Sequence, residues 1–250
     1  MSAEDDDKAT VLFSDDVEKI KTFLMEYPSA LDGFIEYTPL MHAANCKRSD
    51  IVDFLIEFTN SDSKFVNIRT AAGKTALHYG CLNINEYIIR KLIQTGASGI
   101  FQDLQGNTPL HFAAKYANNP NIIYILYPGS NPSIFNTLNQ TPLMTACAYN
   151  NNREVILALV NISNNINQQN SNGETCLHVA CSYNNTNIIE TLLSHGADLT
   201  ITSGSDLTPY DMSDNDVDEI IYKYLQDKHH QTPEDEKIMN ELNLKTNIFD

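Results

Sequence analysis

One tetrapeptide, repeated at a near-constant interval, constrains this chain more than any other feature of it. Thr75-Ala76-Leu77-His78 returns as Thr108-Pro109-Leu110-His111, Thr141-Pro142-Leu143-Met144 and Thr175-Cys176-Leu177-His178, with starts 33, 33 and 34 residues apart. Thr38-Pro39-Leu40-Met41 stands 37 residues before the first, and Thr208-Pro209-Tyr210 stands 33 after the last. A fixed period of this length marks a solenoid, in which one supersecondary unit is copied and stacked.

The segment after each threonine repeats as well. Thirteen or fourteen positions on comes an apolar run, as in Ile51-Val52 with Phe54-Leu55-Ile56, Ile88-Ile89 with Leu92-Ile93, and Ile122-Ile123 with Ile125-Leu126. Val155-Ile156 with Leu159-Val160, and Ile188-Ile189 with Leu192-Leu193, continue the series. Spacings of three and four mark one face of a helix. Gly96-Ala97 and Gly196-Ala197 close that helix in two units, as glycine does just past a C-terminus. Threonine suits the N-cap of the preceding helix, and proline its first position. Each unit reads as a short helix, a turn, a second helix and an extended loop. The pattern resembles the ankyrin-repeat family over residues 10–227. That resemblance implies an all-α repeat solenoid of helix-turn-helix units with hairpin-like loops, whose core is supplied by stacking.

Residues 15–27 and 218–226 read as the closing helices of incomplete units, which gives seven units: two caps and five internal repeats. Residues 1–9 form an acidic extension and 228–250 a charged tail. The tail carries a candidate helix at 234–244, capped by Thr232 with Pro233 in its first turn, which docks on the last repeat, engages a partner or stays mobile. Two units break the rhythm. Extra residues enlarge the loop at 59–64. In the Thr108 unit Pro120 and an extra residue sit between the helices, and the segment 127–132 with Pro128 and Pro132 shortens the second helix, bending the stack or loosening it. Gly73, Gly106 and Gly173 share one loop position with Asn139 and Asp206, which tolerate positive φ, and with Glu36, which does not.

Charge and composition narrow the function classes. A net charge of −16, from 32 acidic and 16 basic side chains, repels nucleic-acid phosphates and favours a basic partner or solubility alone. No apolar stretch approaches the roughly 20 residues that cross a bilayer, and the start Met1-Ser2-Ala3-Glu4-Asp5 lacks the form of a secretion signal. Five cysteines do not suggest a disulfide framework, so a reducing compartment is expected, cytoplasmic or also nuclear. Cys81, Cys147 and Cys181 share a slot held by Ala44 and Ala114 elsewhere, which suits small buried side chains. His78, His111 and His178 occupy one repeat position on helices about 8–10 Å apart, too far for a shared zinc ion, and the resemblance implies that they fix the loops. His229-His230 reads as solvent-facing. There is no phosphate-binding glycine loop, no histidine pair around a glutamate, and no stretch for a separate catalytic domain in these residues. Catalysis, cofactors and metals are not expected.

The register also assigns a partner face. Positions four and eight after each threonine line the concave side of an ankyrin stack. The first series reads His42, Tyr79, Phe112, Thr145, Val179, and the second Cys46, Asn83, Tyr116, Tyr149, Tyr183. Tyr79, Phe112, Tyr116, Tyr149 and Tyr183 are candidate protein-binding residues, since tyrosine offers a rigid surface with a polar tip. The alternative is that these rings pack against the loops. Loop tips supply a second strip: Phe34, Ile35 and Tyr37, then Ala71, Ala72 and Lys74, Leu104, Gln105 and Asn107, and Thr137, Leu138 and Gln140. Phe34 and Ile35 are apolar where turns are usually polar, the alternative being burial under the N-terminal cap. Asp103 and Glu174 on adjoining loops would draw lysine or arginine on the partner. The expected function is a monomeric adaptor or regulatory subunit that grips a folded protein or peptide. Resemblance to the gankyrin-like proteasome-assembly chaperones, through repeat number, length and Tyr27-Pro28-Ser29-Ala30-Leu31, offers one alternative. A cytoskeletal or membrane-protein scaffold offers another.

Overall fold

A computed structural model describes residues 9–33, 37–214, 217–228 and 232–246. The chain divides into two compact units, Met1–Ala117 with Asn121–Asn131, and Asn118–Pro120 with Pro132–Asp250. The boundary runs through the Thr108 repeat, whose proline-bearing connector Asn118–Pro120 belongs to the second unit.

The first unit opens with a helical turn at 9–12 and α1 (Val17–Glu26). There follow α2 (Pro39–Asn45), α3 (Ser49–Phe58), α4 (Ser63–Val66), α5 (Ala76–Leu82), α6 (Glu86–Gln94), α7 (Pro109–Tyr116) and α8 (Asn121–Leu126). First helices stack on first helices, α2 on α5 and α5 on α7; second helices stack on second helices, α1 on α3, α3 on α6 and α6 on α8. Ile20, Leu24, Leu40, Leu55, Leu77, Ile89, Leu92 and Leu110 are fully buried between these rows. The inserted residues after α3 do more than lengthen a loop. Asn60 and Ser61 take positive φ (51° and 57°), and the chain then winds the extra turn α4, capped by Asp62.

The second unit repeats the scheme with α9 (Pro142–Tyr149), α10 (Arg153–Ile162), α11 (Cys176–Ser182) and α12 (Thr186–Ser194), closed by α13 (Asp218–Asp227) and α14 (Pro233–Thr246). Here α9 packs on α11, α10 on α12, and α12 on α13. In the Thr208 segment the first helix shrinks to a 3-10 turn, Tyr210–Met212, with Thr208 bonded to Asp211. The candidate tail helix is formed and docked. It packs on α13, buries Ile238 and Leu242, and is anchored by Asp235, which accepts from Thr232 and from Lys228 at 2.7 Å.

Local chemistry explains why each repeat starts where it does. Thr38, Thr75, Thr108, Thr141 and Thr175 are N-caps in extended conformation. In three repeats the cap's own N–H donates to Nδ1 of the motif histidine, at 3.0 Å for His78, 3.1 Å for His111 and 3.0 Å for His178. This is a capping box in which imidazole stands where glutamate usually does. With Nδ1 accepting, Nε2 carries the proton. It donates to the next loop, from His78 to the Asn107 carbonyl at 3.2 Å and from His178 to the Leu207 carbonyl at 3.1 Å. Burial pushes the His78 pKa down to about 4 and lowers that of His178, so the neutral ring is the native form. In these two rings Nδ1 is thus spent on the helix cap and Nε2 on fixing the next loop, the latter as the resemblance implied.

The loops carry a device that the sequence reading did not single out. Asp103, Asn136, Asn170 and Ser203 hold one repeat position, and each side chain accepts the N–H groups two and four residues on. All four are buried. Asp103 is therefore a turn-forming residue and not a partner-facing charge; the expectation that it would attract a basic partner is corrected. Glu174 is half-buried and accepts from Asn170 at 2.9 Å, which ties it to the same turn. The tips then pass close to one another. Gly173 sits at φ 76°, and a Cβ there would lie 2.6 Å from the Gly204 nitrogen. Asn139 and Asp206 adopt φ 60° and 58° at the equivalent position. Glu36 lies outside the described residues, as does the His229-His230 pair.

Candidate protein-binding face

The first helix of each repeat buries its leucine and the small residues behind it, and this decides which side chains remain for a partner. Ala43, Ala44, Cys81, Ala113, Ala114, Ala146, Cys147, Ala180 and Cys181 are all sealed in the stack. Cys176 is buried as well, and burial raises the Cys181 thiol pKa to about 12, far from a nucleophile's range. The opposite edge of each helix carries the two candidate series.

In the first unit the rings are already engaged with the chain itself. Tyr79 is half-buried and meets Tyr37 edge-on, with centroids 5.6 Å apart. Burial raises the pKa of both phenols. Phe112 is half-buried, lies 5.8 Å edge-on from His78, and has Lys74 Nζ 5.2 Å from its centroid. Tyr116 is 44% exposed, with Lys115 Nζ 5.3 Å from its centroid. A cation over each of these rings stands where a partner's cation would dock. Asn83 hydrogen-bonds Asn45 at 3.0 Å and links the first two inner helices at the same level.

In the second unit the two series separate. Thr145 and Val179 are buried, so the first series contributes packing there, and the expectation that these two side chains line an open face is corrected. The second series stays outside. Tyr149 and Tyr183 are 44% and 52% exposed, with centroids 5.9 Å apart at 64°. The neighbouring Tyr149 side chain is the leading cause of the raised Tyr183 pKa. The result is a preset two-ring surface with a polar tip.

The loop tips divide too. Ala71, Ala72, Leu104 and Leu138 are exposed, the two leucines at 69% and 66%. Phe34 and Ile35 fall outside the described residues. Among the described residues no helix is long and apolar enough to cross a membrane.

Against this geometry the comparisons are unambiguous about class. A family model described as ankyrin repeats (3 copies) matches residues 10–103, 40–136 and 110–203. No curated protein matches the chain. The chain belongs to the ankyrin-repeat family. It is an all-α, non-catalytic solenoid that serves as a protein–protein interaction scaffold.

Proposed function

We propose that this scaffold acts as an adaptor or regulatory subunit, monomeric on its own, which holds a folded protein or peptide with a basic surface against its inner-helix face. The observation that carries the reading is the Tyr149–Tyr183 pair. Two exposed rings meet edge to face, with centroids 5.9 Å apart, on helices whose other sides are buried. Rigid amphipathic rings of this kind lose little entropy on binding and dominate interface energetics. Tyr79, Phe112 and Tyr116 are secondary anchors in the other unit, since Tyr79 is packed on Tyr37 and a partner's cation must compete with Lys74 at Phe112 and with Lys115 at Tyr116. The net charge of −16 supports a basic partner by speeding its encounter. Five free thiols fit a reducing compartment, the cytoplasm with or without the nucleus.

Affinity purification from cells, with wild-type protein and the Tyr149→Ala and Tyr183→Ala variants as baits, tests the reading. Truncating a central aromatic anchor removes at least ~2 kcal/mol of binding, so each variant should weaken the dominant partner about 30-fold or more. Fold stability should fall by only about 0.5–1.5 kcal/mol, the worth of one aromatic pair. Folded variants with undiminished affinity would move the interface to the loop tips. The gankyrin-like assembly-chaperone reading rests on repeat number, and a proteasomal ATPase subunit as the dominant stoichiometric partner would select it. A cytoskeletal or membrane-anchored partner would select the scaffold reading instead.

A further inference from the structure

The first complete repeat departs from its sisters at the two inner-helix positions. Where the later repeats carry Tyr79, Phe112, Thr145 and Val179, and then Asn83, Tyr116, Tyr149 and Tyr183, α2 carries His42 and its C-cap is Cys46, one helical turn apart on one face. The Cys46 Sγ lies 3.7 Å from His42 Nε2 and 4.0 Å from Nδ1. Asp15, in the turn leading into α1, brings a carboxylate to the same place, and one ligand atom from each of the three residues lies within 4.8 Å of the other two. A tetrahedral ion with Zn–S near 2.3 Å and Zn–N near 2.0 Å sets its sulfur and nitrogen ligands about 3.6 Å apart. The Cys46 sulfur stands near that spacing from Nε2 but almost as near to Nδ1, so it lies beside the ring and off the lone-pair axes. A turn of the His42 imidazole, with a shift of the Asp15 carboxylate, brings the three ligands onto one ion.

The surroundings fit an ion as well. The His42 imidazole is held by Phe13, edge-on at 5.4 Å, and by Tyr37 at 6.3 Å. Asp15 is positioned by Arg48, whose guanidinium donates to its backbone carbonyl and lies 3.3 Å from its carboxylate. That guanidinium is itself paired with Asp50, at 3.1 Å and 2.7 Å, so it is shared between two carboxylates, and an incoming dication competes with it for Asp15. Asp15 and Cys46 are exposed and His42 is half-buried, which gives an ion a path from solvent. The other four cysteines are buried and do not compete.

We propose that Asp15, His42 and Cys46 form a three-ligand site for a zinc-class divalent cation, with the fourth position left to water. Thiolate, imidazole and carboxylate together select this class over calcium or magnesium. On binding, the Cys46 thiol gives its proton to solvent, and the sulfur lone pair forms the bond to the metal. The ion joins the turn before α1 to α2 and so clips the N-terminal cap to the first complete repeat.

Cobalt(II) is the probe. The full chain, untagged, reduced and freed of metal, should take up one equivalent, showing the visible bands of a tetrahedral site and a thiolate-to-cobalt charge-transfer band. Zinc should displace both. Cys46→Ser should abolish the charge-transfer band, and His42→Gln should remove tight binding. Asp15→Asn should weaken affinity at least about tenfold while keeping the band. Circular dichroism and urea midpoints of the metal-free variants establish that each is folded. A wild-type chain without the band at millimolar cobalt overturns the proposal. So does a band that survives Cys46→Ser, or a stoichiometry of one ion to two chains.

Discussion

Helices α8 and α10 fill the same slot in successive repeats and solve it differently. The first has six residues and runs into the 3-10 turn Tyr127–Gly129, because Pro128 has no N–H to extend the ladder. The second has ten residues and starts on Asn152, whose side chain accepts from the N–H groups of Glu154 and Val155. Yet Ile122, Ile123 and Leu126 are as deeply buried as Val155, Ile156 and Leu159. A repeat is admitted to the stack by three apolar side chains at helical spacing, and the remaining turns of helix are optional. The short helix makes up part of the difference through its backbone. Gly99 N–H donates to the Gly129 carbonyl at 3.1 Å, and a Cβ on Gly99 would lie 2.7 Å from that oxygen.

The largest test of this comparison is truncation in both cores. Leu126→Ala and Leu159→Ala should each cost about 2–5 kcal/mol, measured by urea unfolding. A cost under ~1 kcal/mol for Leu126→Ala alone would show that helix length, not burial, carries a repeat. Next comes Gly99→Ala. It should destabilise by about 1–3 kcal/mol, because the methyl group must push back the Gly129 carbonyl; a neutral variant would mean that this contact supports nothing. The smallest effect is in native-state amide exchange. Protection across α8 and the following 3-10 turn should fall below that across α10, with opening about 1 kcal/mol easier. Equal protection would erase the distinction between the two solutions.

Much of this was legible from the register. The threonines became caps, the prolines cut α8 short, Asn139 and Asp206 took the positive φ that their loop position demands, and the tail helix formed where its cap and apolar residues stand. The misses have different causes. Asp103 looked like a surface charge until its loop was seen to need an acceptor for the N–H groups of Gln105 and Asn107. The signal was present, since Asn136, Asn170 and Ser203 hold the same position and all three residue types favour such turns. The cover of Lys74 over Phe112 was harder to foresee, because a flexible side chain from the previous loop supplies it. Thr145 and Val179 carry polarity and size compatible with either face, so periodicity alone did not tell exposure from burial.

The links between neighbouring repeats have a kinetic consequence. His78 reaches the Asn107 carbonyl across 29 residues, Asn83 reaches Asn45 across 38, and Asn185 reaches Asn151 across 34. Each such link closes a loop of about one period, and loop-closure entropy grows only with the logarithm of the length enclosed. The search for native contacts is therefore no harder near residue 200 than near residue 80. A chain with twice as many units would face the same entropic step at each addition. Folding of this protein should start at whichever adjacent pair first docks and then spread in both directions, so that its rate follows the best local pair and not the length of the chain.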